Sequence, residues 1–185
     1  HAWGYETCRM SDIKNYHSEE HSLSNGQVLM RNYSFDEALV IVREMTDNLV
    51  LDLFEKGLVT SSLTLWIAYD HRYEHEASKG TVKLERESNS SKKIIDAVED
   101  LYLRIADRYT GIRRIEVCAN RVAPESYVQY SLFDDPKQTD KERHLQEAVL
   151  NVKQRYGKNA IMRGSNLLEC STYRERNEQV GGHRA

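Results

Sequence analysis

Two hydrophobic periods alternate along this sequence, and their order restricts the folds that it can adopt. Between Ser34 and Gly57, apolar side chains recur every three or four residues, which is typical of an amphipathic helix. The stripe consists of Leu39, Val42, Met45, Leu49 and Leu53. Ser34 and Glu37 form a capping-box pattern at its start, and Gly57 is a stop signal at its end. The pattern therefore predicts a helix with both ends defined.

The same period predicts two further helices. One runs from about Lys92 to Tyr109, and Thr110 and Gly111 end it. Its apolar stripe comprises Ile95, Val98, Leu101 or Tyr102, Ile105 and Tyr109. The other begins at the capping-box pattern Thr139-x-x-Glu142 and ends before Gly157. Its apolar face comprises Leu145, Val149, Val152 and Tyr156, which either packs on the core, the commoner case, or binds a partner.

Period-two alternation marks the strands that surround the first two helices. Residues 63–69, 81–85 and 114–120 alternate between apolar and polar side chains, and residues 27–32 form a weaker candidate before the first helix. The order strand, helix, strand, strand, helix, strand is that of a split βαβ fold. We therefore expect an α+β domain in which a four-stranded sheet has both helices on one face. A helical C-terminal tail follows it.

The sheet face opposite the helices is expected to be polar and partly basic. Its predicted side chains are Thr64, Trp66, Thr81, Lys83, Glu85, Arg114 and Asn120. The formal net charge of the chain is −3, but residues 79–93 are locally basic, and a local positive patch is enough to attract a polyanion. From the pattern alone, a solvated sheet face is the simpler interpretation.

Composition and motifs exclude several classes of protein. The chain has 185 residues, the length of one domain with or without a tail. No apolar run is long enough to span a bilayer and no signal peptide opens the sequence, so we expect a cytoplasmic protein. Cys8, Cys118 and Cys170 are odd in number and far apart, which argues against a disulfide framework or a zinc ribbon.

One short segment contains residue types that bind metals. Asp70, His71, Glu74 and His75 are close in sequence, and the two histidines are spaced by one helical turn. They lie between two predicted strands, however, where a helix is not expected. A polar hairpin loop is therefore favoured over a zinc site, and a small metal-dependent hydrolase is the least favoured interpretation of the chain.

A short apolar peptide, Gln129 to Phe133, lies between Pro124 and Pro136. Its sequence is Gln129, Tyr130, Ser131, Leu132 and Phe133. An amphipathic peptide between proline-containing flanks is typical of a docking segment. The alternative is a loop whose Leu132 and Phe133 fold back onto the core.

Together these features resemble the C-terminal part of a bacterial Y-family translesion DNA polymerase of the UvrX, or ImpB/MucB/SamB, type. The resemblance rests on the residues from Gly26 to Leu29, the capped helix start from Tyr33 to Ala38, the split βαβ order and the closing residues from Arg174 to Ala185. It divides the chain into the end of the thumb and a linker (1–25), the little-finger DNA-binding domain (26–128), and a clamp-binding motif with a C-terminal tail (129–185).

The resemblance implies that the little finger lays its open sheet face on the phosphates of primer-template duplex, without sequence specificity. The DNA-binding residues so implied are Ser24, Arg31, Lys79, Thr81, Lys83 and Arg114. Residues 129–133 resemble the sliding-clamp-binding pentapeptide Gln-Leu-Ser/Asp-Leu-Phe, with Tyr130 in place of the first Leu. Partners would be DNA, the sliding clamp and accessory proteins of the SOS damage response.

The resemblance also implies what this segment does not do. Polymerisation uses palm-domain carboxylates that hold Mg²⁺, and the palm precedes the part of the family that this sequence matches. We expect no catalytic residue and no cofactor within the 185 residues, and no polymerase activity from them alone. A regulatory or protein-interaction module that binds no DNA is the alternative from a different class.

Overall fold

The structure is a computed structural model that describes residues 8–15, 21–73, 75–126, 136–180 and 183–184. Its helices are α1 (Met10–Asn15), α2 (Phe35–Glu55), α3 (Ser91–Ile105), α4 (Pro136–Tyr156) and α5 (Tyr173–Asn177). Its strands are β1 (Leu23–Tyr33), β2 (Leu58–Tyr69), β3 (Ser78–Ser88), β4 (Ile112–Asn120), β5 (Ala123–Pro124), β6 (Gln179–Val180) and β7 (His183–Arg184). Single 3-10 turns occur at His71–Tyr73 and Gly164–Leu167. Within these ranges, no helix combines the length and apolar composition needed to cross a membrane.

The main sheet has the strand order β1-β4-β2-β3, and every neighbouring pair is antiparallel. Helix α2 connects β1 to β2, and β4 lies between these two strands in the sheet. Helix α3 connects β3 to β4, and β2 lies between them. These are two interlocked split βαβ units. The short β5 pairs with the beginning of β2. The predicted α+β fold class and the order of its elements are confirmed.

Helices α2 and α3 cover the same face of the sheet and form one core with it. The core contains apolar residues from both helices and from alternate positions of the strands, among them Ile41, Met45, Leu49, Leu65, Ile67, Val98, Tyr102, Ile115 and Val117. The Tyr102 hydroxyl donates to the carbonyl of Phe35 at 2.7 Å, so this large buried side chain also satisfies its polar atom. Period-two alternation consequently leaves the other face of the sheet, the open face, for polar side chains.

The ends of α2 agree with the prediction, whereas the end of α3 does not. Ser34 and Glu37 form the capping box, and Gly57 adopts φ of +62° after the last turn of α2. Helix α3 ends at Ile105, four residues before the predicted Tyr109, whose side chain is 96% exposed. The apolar face of α3 is formed by Ile94, Val98, Leu101 and Tyr102. The chain leaves the helix at Ala106 because Asp107 accepts hydrogen bonds from Tyr109 and Thr110 in a turn.

Helix α4 also begins elsewhere than predicted. It starts at Pro136, ahead of Thr139, so Glu142 lies in its second turn. The Glu142 carboxylate instead accepts from the Ser90 hydroxyl at 2.9 Å and from the Lys92 amide at 2.9 Å, at the N-terminus of α3. That end of α3 has free N–H groups and a partial positive charge, so it binds a carboxylate well.

The apolar stripe predicted for α4 does not enter the core. Leu145 and Tyr156 are exposed, and the one buried side chain among the described residues of α4 is Gln146. The Gln146 amide donates to the carbonyl of Asn89 at 3.0 Å. Polar contacts, among them those with the region before α3, therefore help to hold α4 on the domain, while Val149 and Val152 of the stripe are only half-buried.

Residues 171–176 of the tail pack against the helical side of the sheet. The Ser171 hydroxyl donates to Glu44 of α2 at 2.5 Å, and the Thr172 hydroxyl contacts the Gln27 side chain of β1 at 2.9 Å. Arg176 donates to the same Gln27 oxygen at 3.2 Å, and Tyr173 is only 1% exposed. The tail thus joins α2 and β1 from the side opposite the open face.

Candidate nucleic-acid interface

The registers of the four long strands align polar side chains in rows across the open face. One row runs Ser24, Cys118, Thr64, Thr81 from the β1 edge to the β3 edge. The next row runs Gly26, Glu116, Trp66, Lys79. Lys83 and Asn120 flank Ser62 on the other side of the first row. The face therefore presents hydroxyl, amide, cationic and aromatic groups within a few residues of one another.

Hydrogen bonds fix the centre of this face. The hydroxyls of Thr64 and Thr81 are 2.9 Å apart, and the Asn120 amide donates to the Thr64 hydroxyl at 2.8 Å. These bonds run across β4, β2 and β3, so they restrict the rotamers of all three side chains. The result is a rigid, uncharged polar centre with longer cationic side chains around it.

Three basic residues surround that centre. Lys79 and Lys83 are exposed and make no ion pair with any residue that the structure describes. Arg114 lies over the ring of Trp66, with 5.0 Å between the guanidinium carbon and the ring centroid. Its guanidinium also reaches Glu116 at 3.4 Å, and the two side chains are 50% and 37% exposed. The two lysines therefore carry uncompensated charge, while the arginine is held in position by an aromatic and an anionic neighbour.

Five of the six predicted DNA-binding residues lie on this face, and the sixth does not. Ser24, Lys79, Thr81 and Lys83 occupy the positions described above, and Arg114 pairs with Val28 and Ala68 in the row beyond Glu116. Arg31 lies beyond the irregularity in β1 that follows Val28. Its guanidinium donates to both carboxylate oxygens of Glu37, at 2.6 and 3.1 Å, and packs over the ring of Tyr33. Arg31 thus stabilises the start of α2.

Sequence reasoning omitted Glu116 from the open face. The alternation that assigns Arg114 and Asn120 to this face assigns Glu116 to it equally, so the signal was present in β4. Val28 is likewise exposed on the open face of β1, at 63%. An acid beside the centre of a basic face matters because it competes with a phosphate for the same cationic side chains.

The candidate zinc segment forms a hairpin turn whose polar groups contact one another. Asp70 is buried and accepts hydrogen bonds from the Arg72 side chain and from Asn32, which keep the pKa of its carboxyl well below the usual range. His75 contacts Asp107 at 3.3 Å and packs on Tyr69. Apart from Glu74, which lies outside the described residues, the segment takes part in no cluster of three or more metal-ligating side chains. Its contacts are those of the predicted polar loop.

Residues 129–133, the clamp-like peptide, lie outside the described residues. Their assignment stays a prediction from the sequence.

Comparison with known proteins identifies the family. The profile of the impB/mucB/samB family C-terminal domain matches residues 20–132. This chain belongs to the impB/mucB/samB family. The resemblance predicted from the residues is therefore confirmed, and the match covers the whole sheet domain of this family member.

Two curated relatives of this impB/mucB/samB domain are DNA polymerases by name. DNA polymerase IV 2 of Bacillus subtilis (strain 168) is 24% identical over 164 residues, which are 88% of this chain and 39% of that protein. DNA polymerase IV 2 of Halalkalibacterium halodurans is 21% identical over 168 residues, 90% of this chain and 40% of that protein. The chain thus spans about two fifths of the length of these relatives.

Solved structures with a similar chain path include a complex of the beta-clamp processivity factor and the little finger domain of PolIV. That match has 12% identity and a TM-score of 0.43, and covers 62% of this chain and 100% of the little finger chain. DinB from Sulfolobus solfataricus matches with 17% identity and a TM-score of 0.38, over 60% of this chain and 32% of that chain.

Proposed function

We propose that this domain is the DNA-gripping and clamp-tethering part of a cytoplasmic lesion-bypass DNA polymerase. The observation that carries the proposal is the open face, where Lys79, Lys83 and Arg114 surround a hydrogen-bonded centre of Thr64, Thr81 and Asn120. Membership of the impB/mucB/samB family and the names of the polymerase relatives support it.

The chemistry of the open face suits phosphates more than base edges. Cationic side chains displace counterions from the DNA backbone, and this contribution to binding carries no sequence information. Hydroxyls such as those of Ser24 and Thr81 are common phosphate ligands. An enzyme that copies damaged templates has to hold duplexes of any sequence, which is the kind of binding that this face offers.

Catalysis is assigned to the part of the polymerase outside this chain. Two-metal phosphoryl transfer needs a group of carboxylates that hold Mg²⁺. The described residues contain no group of three or more potential metal ligands. We therefore expect this chain, with Mg²⁺ and nucleotides, to extend no primer; extension by a rigorously purified sample would contradict this assignment.

The DNA proposal is tested by duplex binding as a function of salt. Fluorescence anisotropy with a labelled primer-template should show weak binding that falls as salt rises. The variant Lys79→Ala/Lys83→Ala/Arg114→Ala should reduce the slope of log K against log salt by roughly 2 to 3, because each phosphate contact contributes about 0.9.

A matched variant separates a local effect from one of net charge. Lys56→Ala/Arg104→Ala/Lys158→Ala removes the same charge from exposed positions outside the open face and should leave binding unchanged. An equal loss of duplex affinity in both variants would reject the open face as the binding site. A protein-interaction module that binds no DNA would show no salt-dependent binding at all.

A further inference from the structure

A groove of about 990 Å³ lies on the helical side of the domain, between α2, α3, α4 and residues 161–163. Its apolar lining comprises Leu51, Ile95, Leu145, Val149, Ile161 and Met162. Leu145 is 63% exposed, although it belongs to a helix that lies against the domain. The groove thus has the volume of a large ligand pocket and leaves apolar side chains in contact with water.

Polar contacts at its borders keep this groove open. Glu142 and Gln146 attach α4 to the N-terminus of α3, as described above. On another side, Arg163 donates to Asp47 of α2 at 2.7 Å and to Ser91 of α3 at 3.1 Å. Leu145 and Val149 are one helical turn apart and both line the groove. The tail therefore forms a wall of the groove without filling it.

The charges around the groove favour an anionic ligand. Three of its acids already have partners: Asp47 pairs with Arg163, Glu99 with Arg43 at 2.5 Å, and Glu142 with the start of α3. Lys92 and Lys141 are exposed and make no ion pair with the described residues. Asp96 is the acid of the lining that stays without a described ion-pair partner. The charge left for a ligand is therefore mainly positive.

We propose that this groove binds an acidic amphipathic helix of a partner protein. Apolar side chains spaced by three or four residues would pack on Leu145, Val149 and Ile95, and acidic side chains beside them would face Lys92 and Lys141. The lining is aliphatic and includes no aromatic ring among the described residues, so it offers bases no stacking platform. Because the groove lies on the side opposite the open face, this inference is independent of the DNA proposal.

The probe for this proposal is a synthetic helical peptide of about 18 residues, roughly five turns, with leucines on one face and glutamates elsewhere. Labelled with fluorescein, it should bind the full 185-residue chain saturably. The same peptide with lysines in place of the glutamates should bind at least about tenfold more weakly. Absence of saturable binding, or equal binding of both peptides, would overturn the proposal.

Two variants locate the binding site. Leu145→Ser should lower the affinity for the acidic peptide about tenfold, as expected when an apolar anchor is lost. Lys92→Glu/Lys141→Glu should weaken binding of the acidic peptide and strengthen binding of the basic one. Leu103→Ser is the matched control, since Leu103 is 45% exposed on α3 and does not line the groove. It should change neither affinity, and thermal melts should show that all variants stay folded.

Two further outcomes decide between ligand classes. Loss of duplex DNA binding on Leu145→Ser, or displacement of the peptide by single-stranded DNA, would make the groove a nucleic-acid site and overturn the peptide assignment. Unchanged DNA binding by a variant that no longer binds the peptide would support two separate sites.

Discussion

The guanidinium of Arg114 lies over the indole ring of Trp66 on the open face, 5.0 Å from the ring centroid. The two residues belong to the paired strands β4 and β2. The arrangement limits the rotamers of Arg114 while its hydrogen-bond donors stay available, since the guanidinium presents five N–H groups. The Glu116 carboxylate lies 3.4 Å from this guanidinium, so it would compete with a phosphate for Arg114 if the open face binds DNA.

Glu116→Gln should therefore tighten duplex binding about two- to fivefold. The exposed ion pair between Arg114 and Glu116 stabilises the free protein by only about 0.2 to 1 kcal/mol, and a phosphate has to replace it. Anisotropy titrations at low and high salt measure the change. Glu99→Gln, which removes the same charge on the helical side, should leave affinity unchanged. Equal tightening by both variants would indicate a net-charge effect and contradict the role of Glu116.

Gly80→Ala tests the packing of α3 on β3. A Cβ atom at Gly80 would lie 2.8 Å from Cδ1 of Leu101 and 3.1 Å from Cγ2 of Ile105. Overpacking of a core typically costs 1 to 3 kcal/mol, and the methyl group of Leu101 can shift, so we expect a loss of about 1 to 2 kcal/mol in the free energy of unfolding. Urea denaturation measures it. Gly164→Ala, with open space around the new atom, should have no comparable effect.

Sequence patterns predict the structural features that depend on the local hydrophobic period. They fail where residues that are distant in the chain interact. Alternation in β2 and β4 placed Thr64 and Arg114 on one face, because the pleat fixes the direction of each side chain. The capping-box pattern at Thr139 was misleading, since Glu142 binds Ser90 from a distant part of the chain. Arg31 could not be placed either, because the irregularity after Val28 interrupts the period of β1.

Glu44 should be the residue on which attachment of the tail depends most. It is 2% exposed and accepts hydrogen bonds from the Ser171 hydroxyl and the Thr172 amide, and burial raises the pKa of its carboxyl. Nearby, Nε and Nη2 of Arg176 are buried without a hydrogen-bond partner among the described residues. Glu44→Ala would leave the Ser171 and Thr172 donors unpaired and remove a negative charge near Arg176.

We expect Glu44→Ala to lower the free energy of unfolding by about 1 to 3 kcal/mol, the cost of leaving buried polar groups unsatisfied. Limited proteolysis should then cut the tail before the sheet domain. Glu55→Ala removes an exposed acceptor of Gln154 and should change stability by no more than about 0.5 kcal/mol. A Glu44→Ala protein as stable and as protease-resistant as the wild type would show that the tail is held by other contacts.

The pair formed by Arg31 and Glu37 should make stability depend on pH. Hydrogen bonds from Arg31 and from the Ser34 amide lower the pKa of Glu37 to about 2. A carboxyl whose pKa is lower in the folded state stabilises the fold above its unfolded pKa of about 4.5, and this contribution is lost as pH falls toward 2. Glu37→Gln should be less stable than the wild type at neutral pH, and the difference should shrink with acidification.

Urea unfolding of both proteins across this pH range measures the effect. Arg31→Gln removes the largest cause of the lowered pKa and should reproduce the same trend. A stability difference that stays constant from neutral to acidic pH would mean that the carboxylate charge of Glu37 contributes nothing.

Residues 129–133 are either a docking peptide or a core-packing loop, and one double variant distinguishes the two. In a docking peptide, Leu132 and Phe133 would bury their side chains in the sliding clamp, each contributing roughly 1.5 to 3 kcal/mol, less the cost of ordering the peptide. Leu132→Ala/Phe133→Ala should then abolish clamp binding in calorimetry and leave the melting temperature nearly unchanged. In a core loop the same variant would empty two buried sites and destabilise the fold by several kcal/mol. A large drop in melting temperature, with no clamp binding by the unmutated chain, would therefore assign the peptide to the core and leave the domain without its proposed tether.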